Sequence, residues 1–310
     1  MKILIAGVGG VGGLLAGQLI KKYADEVTLL ARGAKREHYL NYGLTIESDL
    51  YGDYNVMPAG VVEDAEGLGV QDLIIVSVKN GSLEGMLDKI QAAVDGHTII
   101  MPVMNGVSAP DVIHRRFPDA HTMMSVIYTV SMVNEHLAIR QLGQFTRIFA
   151  GPVVENEQER VLCRRVVETF TAAGIEIKES ADVRADCWSK YVLNSAFNGV
   201  TARWGITIGD IKHSEELKKD YRAVMDEAWQ VGRALGVNLP DDLVERHMSS
   251  LERSTDDSTS SLSRDFDAHI FGEAELFSKD IADMGKSVGI KTPYLDSYYQ
   301  GMVERSQSWK

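Results

Sequence analysis

Lys190, Asn194 and Asn198 lie within Trp188-Ser189-Lys190-Tyr191-Val192-Leu193-Asn194-Ser195-Ala196-Phe197-Asn198-Gly199. Their i, i+4, i+8 spacing puts all three on one face of a helix. An ammonium flanked by amides can donate a proton to a carbonyl oxygen, and it can also hold a carboxylate. The interleaved Val192, Leu193, Ala196 and Phe197 point to a helix packed on both flanks. A plainer reading is a lysine that snorkels to water beside locally packed asparagines. A second signal, far away in the chain, favours chemistry.

That signal is Gly7-Val8-Gly9-Gly10-Val11-Gly12, directly after the apolar Ile3-Leu4-Ile5-Ala6. Glycines 7, 9 and 12 match G-x-G-x-x-G between a strand and a helix, the first half of a dinucleotide-binding unit. Gly7 permits the tight turn, Gly9 lets backbone approach a pyrophosphate, and Gly12 lets the helix pack closely on the strand. The N–H groups that open the helix face the phosphates. The end of the second strand selects the nucleotide: an acid takes the ribose 2′-OH of NAD, and Arg accommodates the 2′-phosphate of NADP. Here the strand ends Ala31-Arg32-Gly33, with Lys35 and Arg36 behind it and no carboxylate at its tip. A solvated loop cation is the plainer reading of Arg32, but in this context NADPH/NADP is the expected cofactor. Gly12, where Ala is the alternative, leans towards NAD, and Arg32 outweighs it. Lys79 and Asn105 follow two further strands, at the carboxyl ends where open α/β sheets bind ligands.

These residues need elements to hold them. Strands are expected at 26–31, 43–48, 70–78, 97–103, near 123–130, 137–140 and 146–151, and at 174–177, with helices at 13–23, 82–94 and 156–173. Beyond Ser180 the strand signals stop, apart from an ambiguous piece near Thr201–Ile206. Helices are expected at 182–199, 215–235, 240–252 and 264–288, and Ser254–Ser263 reads as a loop of the kind that carries function. The fold class is α/β. A Rossmann-type dinucleotide-binding domain over 1–180 precedes an all-helical substrate and catalytic domain over 181–310.

Composition narrows the partners. The 310 residues are 45% hydrophobic and 25% charged, as in an ordinary soluble globular protein, and long enough for two domains. A formal net charge of −12 argues against nucleic acid and against an anionic membrane surface. Cys163 and Cys187 form no disulfide framework, and no apolar run reaches the roughly 20 residues of a spanning helix, so a cytoplasmic location is expected. The eight histidines are scattered without ligand spacing, so no metal is expected. Met284, Ile290 and Tyr294 near the last helix could support a homodimer contact, although such residues are more often core.

Gly7-x-Gly9-x-x-Gly12, Arg32, Lys79, Asn105-Gly106 and Trp188-x-Lys190-x-x-x-Asn194-x-x-x-Asn198 together resemble the ketopantoate reductase (2-dehydropantoate 2-reductase) family. The stretch Ser261-x-x-x-Asp265 and Glu273, twelve positions after that serine, extends the resemblance over nearly the whole chain. The resemblance implies NADPH-dependent reduction of 2-dehydropantoate to pantoate, a step towards pantothenate and coenzyme A. It makes Lys190 the proton donor to the ketone oxygen and Glu273 a neighbour that contacts the ligands, cofactor included, and tunes that lysine. Asn194, Asn198 and Ser261 would hold the substrate's hydroxyl and carboxylate. Asn105 would touch both nicotinamide and substrate, Lys79 would face the cofactor, and Ser131 would offer it a backbone contact.

The chain departs from the family pattern at two places. Gly272-Glu273-Ala274-Glu275 stands where the family often reads Thr-Glu-Ile-Asp, so Glu273 is chosen over Glu275 by its spacing from Ser261. Arg203-Trp204 follows a looser version of the usual turn after the asparagines and could alter the pocket. Three other readings remain open at this point, the first a member of the same family that reduces another 2-oxo acid. A β-hydroxy-acid or polyol-phosphate dehydrogenase shares the two-domain plan and the Lys-to-Asn spacing, but a phosphate-bearing substrate calls for more cations than stand near Lys190. An NADP-sensing regulator would have no need of Lys190, Asn194, Asn198 and Glu273.

Overall fold

A computed structural model describes residues 1–309. The chain forms two compact units, Met1–Val183 and a second from Arg184 to the C-terminus.

The first unit begins β1 (Ile3–Ala6), α1 (Gly10–Tyr23), β2 (Val27–Leu30) and α2 (Gly33–Tyr42). An excursion follows through β3 (Leu44–Ser48) and β4 (Tyr54–Val56). The chain then runs β5 (Gly60–Val62), β6 (Leu73–Val76), α3 (Leu83–Ile90), β7 (Ile99–Pro102) and α4 (Ala109–Arg116). The hairpin β8 (His121–Val133) and β9 (Ile139–Pro152), α5 (Glu157–Ala172) and β10 (Glu176–Glu179) complete the unit. The strands join in the order β4-β3-β9-β8-β7-β6-β1-β2-β5, and β10 pairs with β9. From β5 to β8 every pairing is parallel. β1, β2, β6 and β7 are buried along their whole lengths, as expected of parallel strands covered by helices on both faces. Their apolar side chains divide between two cores. Ile3, Ile5, Leu29 and Ile75 pack on the α1 and α5 side, while Leu4, Leu30, Ile74 and Ile100 pack with Leu87 and Ile113 of α3 and α4. One consequence matters for function: the loops after β1, β2, β6 and β7 all open at the same edge of the sheet.

In the second unit the elements are α6 (Val183–Trp204), α7 (Ile208–Lys212), α8 (Glu215–Ala234), α9 (Leu243–Arg253), α10 (Ser261–Asp267), α11 (Asp280–Ser287) and α12 (Pro293–Gln307). No strand occurs there among the described residues. A π-helical turn, Glu275–Lys279, leads into α11.

Several expected boundaries move, each for a physical reason. The pieces at 137–140 and 146–151 are one strand, β9. Gly143 (φ +82°) suggests a break, but the strand absorbs it as an irregularity and its N–H donates to Asp49 Oδ2 at 2.8 Å. The ambiguous Thr201–Ile206 carries α6 on to Trp204, where Gly205 (φ +65°) ends it by donating to the Thr201 carbonyl. The single helix expected over 264–288 is broken between Asp267 and Ala274, where His269 and Gly272 both take positive φ. α10 begins inside the presumed Ser/Thr/Asp loop because Ser260 caps it, accepting from Ser263 N at 3.0 Å. Val183, three residues past the expected boundary, packs its side chain against Gly151 of β9 and so belongs to the first unit.

The start of α12 shows how the helical unit is pinned. Pro293 opens the helix without an N–H, and the next two N–H groups, of Tyr294 and Leu295, donate to Glu227 of α8 at 2.8 Å each. Glu227 is buried, which raises its pKa, and these two hydrogen bonds pull it back down. Glu227→Ala leaves the N–H groups unpaired and should destabilise the chain by about 1–3 kcal/mol, whereas Glu227→Gln keeps one acceptor and should lose less. Urea denaturation followed by circular dichroism checks the order; equal loss in both variants would show that the single acceptor and the bulk retained by Gln contribute nothing.

Candidate functional site

In the first unit, the glycine-rich turn joins β1 to α1. Gly7 takes φ +111°, which suits a residue without Cβ. A Cβ on Gly12 would collide with the Gly7 carbonyl oxygen, and one on Gly10 with the Ser131 carbonyl of β8. These two glycines therefore set how closely α1 lies against the turn and the hairpin. Gly9 differs, because a Cβ there meets nothing within 4 Å and faces space that protein does not fill. As N-cap of α1 it supplies no side chain, and the first turn holds no acid, so the opening N–H groups lack a side-chain acceptor. Val8 packs inward, and its carbonyl accepts a hydrogen bond from Lys35 Nζ at 3.4 Å. Ser131 sits beside this turn with a buried hydroxyl that has no hydrogen-bond partner.

The other first-unit candidates stand on loops at the same sheet edge. Arg32, exposed, is the extended N-cap of α2, and its guanidinium has no ion-pair partner among the described residues. Behind it, Arg36 pairs with Glu37 at 3.2 Å, and burial lowers the pKa of Lys35. Lys79 is exposed in the turn after β6. Asn80 Nδ2 donates to the Asn105 carbonyl at 3.0 Å, which ties that turn to the loop after β7. An uncapped helix start, an open Gly9 and an unpaired cation at the end of β2 fit a dinucleotide pyrophosphate and a charged ribose substituent.

In the second unit, α6 carries Lys190, Asn194 and Asn198. Trp188 and Tyr191 are almost fully buried and meet edge to face at 5.6 Å; Trp188 also fills the space a Cβ on Gly232 of α8 would need. α9 grips the same segment, His247 Nε2 donating to the Ser189 carbonyl at 2.9 Å. Lys190 is half-buried, and its pKa is pulled down to about 8. Desolvation is the main cause, and the nearby Glu273 carboxylate opposes it. Cys187, one turn earlier, is buried with its thiol pushed up to about 12, which keeps it neutral and poorly nucleophilic.

The polar residues further along α6 divide the work. Asn198 is nearly inaccessible and already committed: its Nδ2 donates to the Asn194 carbonyl at 3.0 Å. Its Oδ1 accepts from Ser261 Oγ and Leu262 N, each at 3.3 Å. One turn on, Thr201 Oγ1 approaches Ser260 Oγ at 2.7 Å. Asn198 and Thr201 thus dock the start of α10 onto α6 and leave Ser261 exposed beside it. Asn194, half-buried, has a side-chain amide with no hydrogen-bond partner among the described residues. Of the two asparagines, Asn194 is the one free to meet a ligand.

Glu273 and Glu275 separate by geometry. Gly272 (φ +60°) turns the chain so that Glu273 lies immediately before the next helical segment, with its charge acting on Lys190. Glu275 instead accepts from Tyr299 Oη of α12 at 3.1 Å. The π-helical turn that follows is held by Tyr191, which donates its hydroxyl to the Leu276 carbonyl at 2.5 Å. Nothing in the sequence marks this role for Tyr191 beyond its place next to Lys190. Arg203 lies over the rings of Trp204 and Tyr298 at 4.6 and 4.7 Å and donates to the Ser297 carbonyl, so its charge is engaged with α12. Among the described residues no group of His, Cys, Asp and Glu is arranged to hold a metal, and no helix is long and apolar enough to cross a membrane.

Residues 3–154 match the family model for ketopantoate reductase PanE/ApbA, and residues 182–304 match that for its C-terminal domain. A 2-dehydropantoate 2-reductase of Mesorhizobium japonicum is 28% identical over 96% of this chain and 95% of its own. The crystal structure of 2-dehydropantoate 2-reductase from Methylococcus capsulatus is 26% identical, covers 97% of this chain and 96% of its own, and superposes with a TM-score of 0.85. A D-mandelate dehydrogenase in complex with NADH and anilino(oxo)acetate, 19% identical, shares the fold at a TM-score of 0.88 over 99% of each chain.

The glycine turn can be tested by separating fit from folding. Gly9→Ala should leave the unfolding midpoint unchanged and weaken dinucleotide binding by at least about tenfold, the effect of one lost interaction near 1.4 kcal/mol. Gly12→Ala should cost about 1–3 kcal/mol of stability, because backbone must shift to admit the methyl group. Native nucleotide affinity in Gly9→Ala would remove this turn from the binding site.

Proposed function

The chain belongs to the ketopantoate reductase family, and on that premise we propose that it reduces the ketone of 2-dehydropantoate to pantoate with NADPH. One observation carries the reading: a lysine of lowered pKa on α6 has a carboxylate, Glu273, acting on it and an uncommitted amide, Asn194, one turn along the same face. When bound, the reduced nicotinamide supplies hydride to the carbonyl carbon. The residues that would hold this cofactor are Gly7, Val8, Gly9, Gly10, Val11 and Gly12 at the pyrophosphate and Arg32 at the 2′-phosphate. Lys79, Asn105, Ser131 and Glu273 would complete the set.

Lys190 Nζ donates its proton to the ketone oxygen as negative charge develops there. A pKa near 8 suits the task, because at neutral pH the ammonium is present yet gives up its proton more readily than an ordinary lysine. Glu273 opposes the desolvation of that ammonium and keeps it charged until the proton is needed. Asn194 and Ser261 can each donate and accept, which suits the 4-hydroxyl and the carboxylate. Asn198 acts at one remove, by holding Ser261. A reductase of another 2-oxo acid remains the second reading, favoured by the fold shared with a D-mandelate dehydrogenase.

Two measurements test this. Lys190→Ala should lose about 10²–10⁴-fold in kcat, the usual contribution of a positioned acid, while still binding NADPH. In the wild type kcat should fall as pH rises through about 8, because the proton-donor form exists below the lowered pKa and disappears above it. A pH-independent kcat between 7 and 9.5, roughly the span over which such a group titrates, would remove Lys190 from the acid role.

For the substrate, 2-dehydropantoate is compared with 2-oxo-3,3-dimethylbutanoate, which keeps the bulk beside the ketone but lacks the hydroxymethyl group. A site that bonds the hydroxyl should prefer the former by at least about tenfold in kcat/KM. Equal values would point to a different 2-oxo acid.

A further inference from the structure

β2 itself ends without an acid, but its neighbour brings one to the same place. β5 pairs in parallel with β2, placing Leu30 beside Val62, and Ala31 N donates to the Val62 carbonyl at 2.9 Å. Glu63 therefore leaves the sheet alongside Arg32. Its carboxylate accepts a hydrogen bond from Gly33 N, the first N–H of α2, at 3.4 Å. Arg32, the cap residue, makes no side-chain cap bond of its own, and the first turn holds no acid. The Glu63 backbone is steadied by Lys89 Nζ, which donates to the Glu63 carbonyl at 3.3 Å. An unpaired guanidinium and a carboxylate thus flank one helix start, where the nucleotide's ribose substituent is read.

We propose that Glu63 is a specificity-determining residue for the nucleotide, opposing the preference of Arg32 for a 2′-phosphate and offering the 2′-hydroxyl of NADH an acceptor. The inference rests on the dinucleotide reading of the first unit and is independent of the 2-oxo acid. A 2′-phosphate repels a carboxylate at this position and competes with it for Gly33 N–H. A 2′-hydroxyl donates to the same carboxylate and displaces nothing. Arg32 and Glu63 therefore pull in opposite directions, and the chain binds both nucleotides with a modest ratio between them.

The test is a fluorescence titration of NADPH and NADH against the full chain with no oxo acid present, in wild type, Glu63→Gln and Arg32→Ala. Glu63 is exposed and Gln keeps its shape, so folding is not at stake; circular dichroism verifies this. Glu63→Gln should tighten NADPH by about three- to tenfold, the scale of a solvent-screened charge contact with a multiply charged partner, and should weaken NADH. The gain for NADPH should shrink at about 1 M salt, where the screening length falls to about 3 Å. Arg32→Ala should shift the ratio of the two affinities the opposite way. An affinity ratio that Glu63→Gln leaves unchanged, or moves towards NADH, overturns the proposal even if Arg32→Ala behaves as expected. A ratio that moves as described in a chain that reduces no 2-oxo acid sustains this inference and discards the proposed reaction. Failure of NADH alone to bind the wild type overturns this inference; failure of both nucleotides overturns the proposed reaction as well.

Discussion

The second unit is organised around the cost of holding a lysine ammonium partly out of water. Lys190 cannot be moved outwards without unpacking its neighbours, because Trp188, Tyr191 and Val192 are buried around the helix it stands on. Desolvation penalises the charged form, which is why its pKa falls. That penalty is tolerable only with a carboxylate nearby, and Glu273 belongs to a different segment of chain. The break after α10, the positive φ of Gly272 and the π-helical turn all serve to bring that carboxylate to α6. The Tyr191 hydroxyl, bonded to a carbonyl within the π-helical turn, locks the arrangement from inside the core. A π-helical turn and a buried tyrosine make sense together as the means of positioning one charge.

The first unit presents a different problem, how α1 can start with no side-chain cap and no acid in its first turn and still pack closely on the sheet. Its parallel strands β1, β6 and β7 are wholly apolar and β2 carries only Thr28 among its apolar residues, so the polar candidates stand on the loops at their carboxyl ends. Close approach then does the positioning. Gly12 against the Gly7 carbonyl and Gly10 against the Ser131 carbonyl seat α1 without side chains between, and Gly9 is left facing open space. Three glycines of one turn have different physical jobs, two of packing and one of access.

Much of this was legible because it depends on local pattern. The apolar runs at β1, β6 and β7, the glycine turn and the Lys-to-Asn spacing on α6 are each contained within a dozen residues. What escaped depends on contacts distant in the chain. Glu63 reaches the end of β2 only because β5 pairs beside it; the sequence pattern shows the excursion strand at 43–48 but not the three-residue β4 and β5 that follow. Asn198 reads as a ligand-binding amide by its spacing, and only the docking of α10 shows its oxygen and nitrogen already engaged. α10 was hidden within a polar stretch because its cap, Ser260, is indistinguishable in composition from a loop serine. The sequence pattern shows β9 as two pieces, 137–140 and 146–151, whereas a long antiparallel partner carries one strand past Gly143.

The charge distribution ties the two halves of the chemistry to the composition. A chain of net charge −12 repels anions on average, so each anionic group it binds requires a local exception. At the end of β2 the exception would be the exposed Arg32, with half-buried Lys35 and Arg36 behind it, where solvent screening would limit the proposed preference for a phosphate and let Glu63 adjust the balance. On α6 the exception is a single cation in a poorly hydrated place, where its charge is felt strongly over a short range. Arg203, the other cation late on the same helix, is spent on Trp204, Tyr298 and Ser297. One desolvated ammonium beside neutral amide and hydroxyl groups suits a compact substrate with a single carboxylate next to its ketone. A phosphate ester would bring a second negative charge with no cation to meet it and Glu273 to oppose it, which is a physical reason for the second unit to favour a small oxo acid over a sugar or polyol phosphate.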